Sequence, residues 1–422
     1  MPPSSHSHGP DPDAPPPSAE TLARRRRAVW LMLLLLVPAA LATVVGLVVL
    51  WPGDEPTRAQ QAAEQFLPPG TTYPEGRIVS LQTLPCGETG GVQATCATAV
   101  VEVLDGEGTG EYQQVDLAAD VVANGIGEGD TVVLTRDAGA EGSPAYQFFD
   151  FERTTPMLVL GVAFAVVVAA VARLRGVAAL VGLAFAFLVL LQFVMPGLLS
   201  GDSPTLVSLV GSAAIMFVVL YLAHGLSART TTALIGTLFG LALVTGLGAL
   251  AVGVARLTGL TSEETVQLQT FDAGLSFSGL VIAGTVVAGL GVLNDVTITQ
   301  ASAIWQLHEV DPAMGSRELY RRGMAVGRDH IASTVYTIVF AYAGAALPLL
   351  LLFTVYSQPA GVILTSSAMA EEVVRTLVGA IALVLAVPVT TAVGAFFATA
   401  AGTEAGAAPE KRMSALRARF AR

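Results

Sequence analysis

Four consecutive arginines, Arg24 to Arg27, abut an apolar stretch from Ala28 to Leu50, and this junction limits what the chain can become. About 20 apolar residues cross a bilayer core, and Lys/Arg clusters beside such a segment stay on the cytoplasmic side. The junction predicts a membrane anchor with its N-terminus inside. A cleaved signal peptide is the competing reading, since the Arg-rich start, the apolar core and Ala40-Leu41-Ala42 also have that form. The apolar run continues to Leu50, which is long enough to span.

The rest of the chain repeats the theme. Only 13% of its 422 residues are charged and 53% are hydrophobic, with a mean hydropathy of +0.64, whereas soluble domains carry roughly 25% charge. Hydropathy marks eight candidate spans, at about 29–50, 155–172, 177–199, 205–226, 231–253, 277–293, 332–353 and 373–400. With the N-terminus inside, 16 of the 22 basic residues fall on cytoplasmic segments, and the opposite segments hold 23 acidic residues against 6 basic ones. That asymmetry predicts a multi-pass protein with an even number of spans and both termini cytoplasmic.

The expected fold is a membrane all-α bundle of about eight helices, with a small all-β domain inserted between the first two. Its parts are a disordered tail (1–27), an anchor (28–50), an extracytoplasmic β-rich domain (51–154), a seven-helix membrane domain (155–400) and a basic tail (401–422). The first tail is rich in Pro, Ser and Asp and lacks apolar periodicity. Its His6 and His8 do not by themselves close a tetrahedral metal site.

In the inserted domain, residues 76–84, 95–104, 111–118, 129–137 and 145–152 alternate as short strands bounded by Gly, Asp or Pro. Five strands suggest an OB-like barrel, with a generic β-sandwich as the alternative. Cys86 and Cys96 flank the GETGG turn. An oxidising exterior favours a disulfide there, against a free or exchange-active pair. With its acidic face the domain lacks the basic groove that nucleic-acid binding requires, and a partner protein, peptide or polymer is the expected ligand class.

Within the spans, Gly236 and Gly240 form a GxxxG, Gly279, Gly284, Gly289 and Gly291 punctuate the sixth, and Gly344 lies in the seventh. Close helix packing explains such residues, as does a span broken at depth to line a cavity. The densest polar passage runs from Gly289 to Pro312 and contains Asn294, Asp295, Thr297, Thr299 and Gln300. A carboxylate near lipid faces a cavity, a partner charge or water. Equally, Asn294 or Asp295 caps a new amphipathic helix at the inner surface. Before the seventh span, Arg328 and Asp329 precede a stripe of His330, Ser333, Thr334 and Thr337 at helical spacing. Interfacial snorkelling and interhelical hydrogen bonds account for that stripe; an Asp295–Arg328–His330 constellation would instead make an ion-coupling or gating site.

These two passages, LNDVTITQASAIWQL and GRDHIASTVYTIVFAYAGAALPL, resemble the most recognisable stretch of the YibE/F-like family of bacterial multispan membrane proteins. The resemblance implies a plasma-membrane location and a permease-type role, and it brings no catalytic residues with it. His224, near the end of the fourth span, is a second-tier candidate: a packing histidine or a proton relay.

No HExxH, GxSxG or GxxxxGK[ST] occurs, and no cofactor is expected. The sequence therefore supports two functions. One is a secondary transporter or permease for an ion or small solute, with Asn294, Asp295, Thr299, Gln300, Arg328, Asp329, His330 and Thr334 at its site. The other is a non-enzymatic envelope protein whose outer β-domain binds a partner while the helices anchor it in the lipid bilayer.

Overall fold

The computed structural model describes residues 19–53, 55–64, 70–89, 92–137, 145–356 and 359–401. His6, His8 and most of both expected tails lie outside the described residues. The chain divides into two compact units, residues 56–173 and residues 1–55 with 174–422.

The smaller unit holds α1's successor, the short α2 (Arg58–Glu64), and then five strands, β1 (Glu75–Thr89), β2 (Val92–Val103), β3 (Tyr112–Leu117), β4 (Thr131–Asp137) and β5 (Ala145–Phe151), with α3 (Ala119–Ala123) between β3 and β4. The preceding α1 (Ala19–Val49) belongs to the larger unit. All five strands fall where alternation places them. They form one antiparallel sheet in the order β3-β2-β1-β4-β5, and Ile78, Val101, Val115, Leu117, Val132 and Leu134 make its buried face. The sheet is not the closed barrel expected. Among the described residues no ladder joins the short edge strands β3 and β5, although they run close to each other.

β1 and β2 outrun their neighbours. β3 pairs with β2 only over residues 97–102, and the β1–β4 ladder covers only Glu75 to Arg77. The end of the hairpin is therefore a two-stranded arm with mostly exposed side chains. Such a ribbon is marginal alone. Here the expected disulfide joins Cys86, at an irregularity in β1, to Cys96 of β2, with Cα atoms 5.6 Å apart. At the end of β5, Arg153 donates to Asp150 at 2.6 Å and holds that exposed carboxyl below the ordinary carboxylate range.

The helix that follows, α4 (Thr154–Val189), continues through a π turn at Leu190–Val194 into α5 (Met195–Leu199). The sequence divides this region at Arg173-Leu174-Arg175, and the structure breaks there too: Arg173 leaves helical geometry (φ 54, ψ −134), so two helical segments meet at a kink where the charges interrupt the apolar run. Then come α6 (Pro204–His224), α7 (Ala228–Val254), the short α8 (Glu263–Phe271), α9 (Phe277–Val310), α10 (Ser316–Ala345), α11 (Leu347–Val355), α12 (Ala360–Leu364) and α13 (Ser367–Ala401). Among the described residues six helices are long and apolar enough to cross a bilayer, or seven if the pair α10 and α11, bent by 62°, counts as one. Of the spans in which small residues allow either close packing or a break, the sixth runs unbroken as α9 and the seventh bends between Ala345 and Leu347, with Pro348 just beyond.

Helices α7, α9 and α13 form the centre of the larger unit, with Leu234, Leu241, Val286, Leu293, Leu383 and Val387 buried between them. A Cβ on Gly236 would overlap Thr390 of α13, and one on Gly240 would lie 2.5 Å from Leu293 of α9. The GxxxG is thus a packing surface, as the sequence suggests. On the outside of the unit, α1 packs on α6, where a Cβ at Gly46 would come 2.6 Å from Val210.

Reduction should loosen the hairpin arm alone. Opening the bridge with a reductant, or making Cys96→Ser, should speed amide hydrogen exchange over residues 82–96 and leave the strands around Val101 and Leu134 protected. The expected cost to the sheet is about 2–3 kcal/mol, and intact mass with and without reductant counts the thiols released.

Candidate polar sites of the helical unit

Gln300 is wholly buried on α9. Its Nε2 donates to the carbonyl of Gly323 on α10 at 2.9 Å and to the hydroxyl of Thr391 on α13 at 2.7 Å. The acceptor carbonyl fixes which end of the amide is nitrogen. Three helices meet on this one side chain because α10 carries glycines toward it: a Cβ on Gly327 would lie 2.7 Å from Val387 and 3.1 Å from Gln300. One turn away Thr297, also buried, shares a 2.6 Å hydrogen bond with Thr237 of α7. Each hydroxyl also lies within hydrogen-bond distance of a carbonyl one turn back in its own helix; with one proton apiece, one threonine donates to its carbonyl while the other donates across.

The other predicted residues are arranged differently. α9 is a single helix of 34 residues, so neither Asn294 nor Asp295 caps a new one. The apolar face expected beyond them is nevertheless present, with Val296, Ile298, Ala301, Ile304 and Trp305 buried. The helix continues because nothing between Gly291 and Gln306 breaks it, and at 1.5 Å per residue it is about 50 Å long, well beyond a ~30 Å hydrocarbon core. Asp295, Thr299, Arg328 and Asp329 are exposed, and Asn294, His330 and Thr334 are half-buried. α9 and α10 run antiparallel, and the Gln300–Gly323 bond places Asp295 level with Arg328. No ion pair or hydrogen bond joins Asp295 to Arg328 or His330 among the described residues. His224 sits exposed at the end of α6.

Seen along α9, the exposed and half-exposed positions Gly284, Ala288, Gly291, Asp295, Thr299, Ser302 and Gln306 recur every three or four residues and make one stripe. It lies on the side away from Leu293 and Thr297, which meet α7. Every member is small or polar. Elsewhere the exposed helix faces carry residues such as Leu34, Val48, Leu160 and Val171, as lipid contact requires. Four buried polar atoms without partners also belong to α9: Asn294 Oδ1, Gln300 Oε1, Trp305 Nε1 and His308 Nδ1.

A second polar cluster lies at the start of α13, and the sequence reading missed it. The buried carboxylate of Glu371 accepts from the backbone N–H of Gly259 at 3.0 Å and from the hydroxyl of Thr261 at 2.7 Å, fastening the α7–α8 loop to α13. Gly259 is required there twice over, by its φ of +74° and because a Cβ would overlap the carbonyl of Phe277. Next to Glu371, Glu372 pairs with Arg375 at 2.7 Å, both about one quarter exposed. Arg375 reaches toward Gly284 of α9, and Tyr342 of α10 lies within electrostatic reach of both charges. Hydropathy hid this cluster by counting Glu371, Glu372 and Arg375 as loop charges, whereas α13 already begins at Ser367. The adjacent hydroxyls Thr390 and Thr391 inside an apolar run were the available signal for the other end of α13.

Helices of this length, packed through glycines around buried hydroxyls and an amide, define a multi-pass membrane protein. The chain belongs to the YibE/F-like protein family, whose model matches residues 160–400. That match covers the helical region and leaves the sheet outside it. Comparison with curated proteins and with solved structures gives no match.

Gln300→Leu should remove both interhelical hydrogen bonds, to the Gly323 carbonyl and to the Thr391 hydroxyl. The expected loss is about 1–2 kcal/mol, read as a lower midpoint for unfolding of the full chain in mild detergent. Thr299→Val, on the exposed stripe of the same helix, should leave that midpoint within error.

Proposed function

We propose that the chain is a secondary transporter or permease of the bacterial plasma membrane, with eight spans and both termini cytoplasmic, whose solute path runs along the exposed stripe of α9. The stripe carries this reading. A face of Gly, Ala, Asp, Thr, Ser and Gln has little to offer lipid, and a carboxylate at that depth requires water or an opposite charge. The unpartnered Oδ1 of half-buried Asn294, next to Asp295, points the same way, since water or a passing solute would satisfy it. Asp295, level with Arg328, is the coupling carboxylate; Arg328 and His330 are the groups that meet it when the helices move, and Gln300 is the fixed pin about which they do so. The bend between α10 and α11 supports a mobile seventh span. With no nucleotide-binding motif in the sequence, the work is drawn from gradients, and the protein is not an enzyme.

The exposed ring pair Tyr73–Phe149, with centroids 5.0 Å apart, and the projecting hairpin arm favour a second role for the β unit in binding an extracytoplasmic partner. The order of its strands, the helix between β3 and β4 and the approach of β3 to β5 support an OB-like arrangement left partly open.

Thiol accessibility tests the path directly. Single cysteines placed at Ala288, Gly291, Asp295 and Thr299 should react with a membrane-impermeant thiol reagent in sealed vesicles, while cysteines at the buried Val286 and Leu293 should not. Equal protection at every stripe position would overturn the reading. Asp295→Asn should in addition lower proton- or ion-coupled uptake at least ten-fold without changing the amount of protein in the membrane.

A further inference from the structure

The stripe of α9 begins at Gly284, and the first charged group beside it belongs to α13. Arg375 offers its guanidinium unevenly. Nη1 is held by Glu372 Oε1 at 2.7 Å, while among the described residues the buried Nε has no hydrogen-bond partner and no hydrogen bond involves Nη2. Nη2 points toward Gly284, lying 4.0 Å from where a Cβ of that glycine would be, and nothing else comes as near to that position. The free edge is therefore the one formed by Nε and Nη2, which donates two parallel N–H groups and matches a carboxylate or a phosphoryl group in bidentate fashion. The side chain is about one quarter exposed, but Nε itself is buried, so this edge is a partly desolvated donor that gains from an acceptor.

We infer that Arg375 and Gly284 form a binding site for an anion bearing a carboxylate or a phosphoryl group, at the Gly284 end of the α9 stripe, about three turns from Asp295. The inference rests on the transport reading and deepens it by naming the class of solute admitted to the path. Glu372 sets the strength of the site. It neutralises part of the arginine and orients the guanidinium by taking Nη1, so that the anion meets a directed edge instead of a freely rotating cation. Gly284 leaves room for the ligand where any side chain would stand in front of Nη2. The same chemistry fits a free anion and the headgroup of an acidic lipid.

The test uses the full chain in nanodiscs, titrated with inorganic phosphate and, separately, with acetate, while the unfolding midpoint reports binding. In purely zwitterionic lipid both anions should raise the midpoint of the wild type. Arg375→Lys keeps the charge and loses the fork, and should weaken phosphate binding at least ten-fold. Gly284→Val, which leaves every charge in place, should do the same. Glu372→Gln should bind several-fold more tightly, a direction that damaged folding does not imitate. Nanodiscs containing phosphatidylglycerol identify the source: an Arg375-dependent rise in midpoint with that lipid, and none with phosphate or acetate, assigns the site to a lipid headgroup. Unchanged phosphate affinity in Arg375→Lys and in Gly284→Val overturns the site. Intact Arg375-dependent binding with a thiol-inaccessible α9 stripe overturns the transport reading and leaves the site standing.

Discussion

Everything in the helical unit hangs on how closely α7, α9, α10 and α13 approach one another. In lipid there is no hydrophobic gain from bringing helices together, so contact area and interhelical hydrogen bonds hold them. Gly236, Gly240, Gly323 and Gly327 remove the side chains that would hold the backbones apart. The Gln300 amide and the Thr237–Thr297 pair then lock the contact with directed bonds in a dry interior. A larger residue at any of these glycines would separate the helices and strand the polar groups together, so packing and hydrogen bonding stand or fall as one.

That rigid centre gives the polar stripe of α9 its meaning. One side of the helix is fixed against α7 and α13, and the other is left with small and polar residues that a purely structural span would replace with Leu or Val. Charge varies along the stripe, with Asp295 near its middle level with Arg328 and Gly284 at one end beside Arg375. On the transport reading proposed above, a carboxylate midway and a half-neutralised guanidinium at the end suit an anion moving together with a proton or cation. Glu371, by pinning Gly259 and Thr261, stiffens the arginine end without spending its own charge on the path.

The β unit answers a different constraint. Its sheet is small, and β1 and β2 extend past the strands that would support them, so the arm depends on a covalent clamp. The disulfide ends the need for further burial there and leaves a stiff projection, together with an exposed aromatic pair, free for contact.

Sequence alone determined the features that depend on local pattern and on solvent. The apolar lengths, the basic flanks, the five alternating strands, the cysteine pairing across a turn and the family-like passages around Asp295 and His330 are all legible because neighbours along the chain create them. Tertiary structure decided which polar residues share a site, since that depends on how helices far apart in sequence rotate and cross. It chose Gln300 from a run of polar residues as the three-helix pin, kept Asp295 unpaired on the opposite face, and brought Arg375 beside Gly284. It also settled where helices end. Helix propensity and packing carried α9 straight through its polar passage, where hydropathy, which reads only transfer from water to lipid, had placed a boundary; at Arg173 the boundary that the charges marked is a real kink.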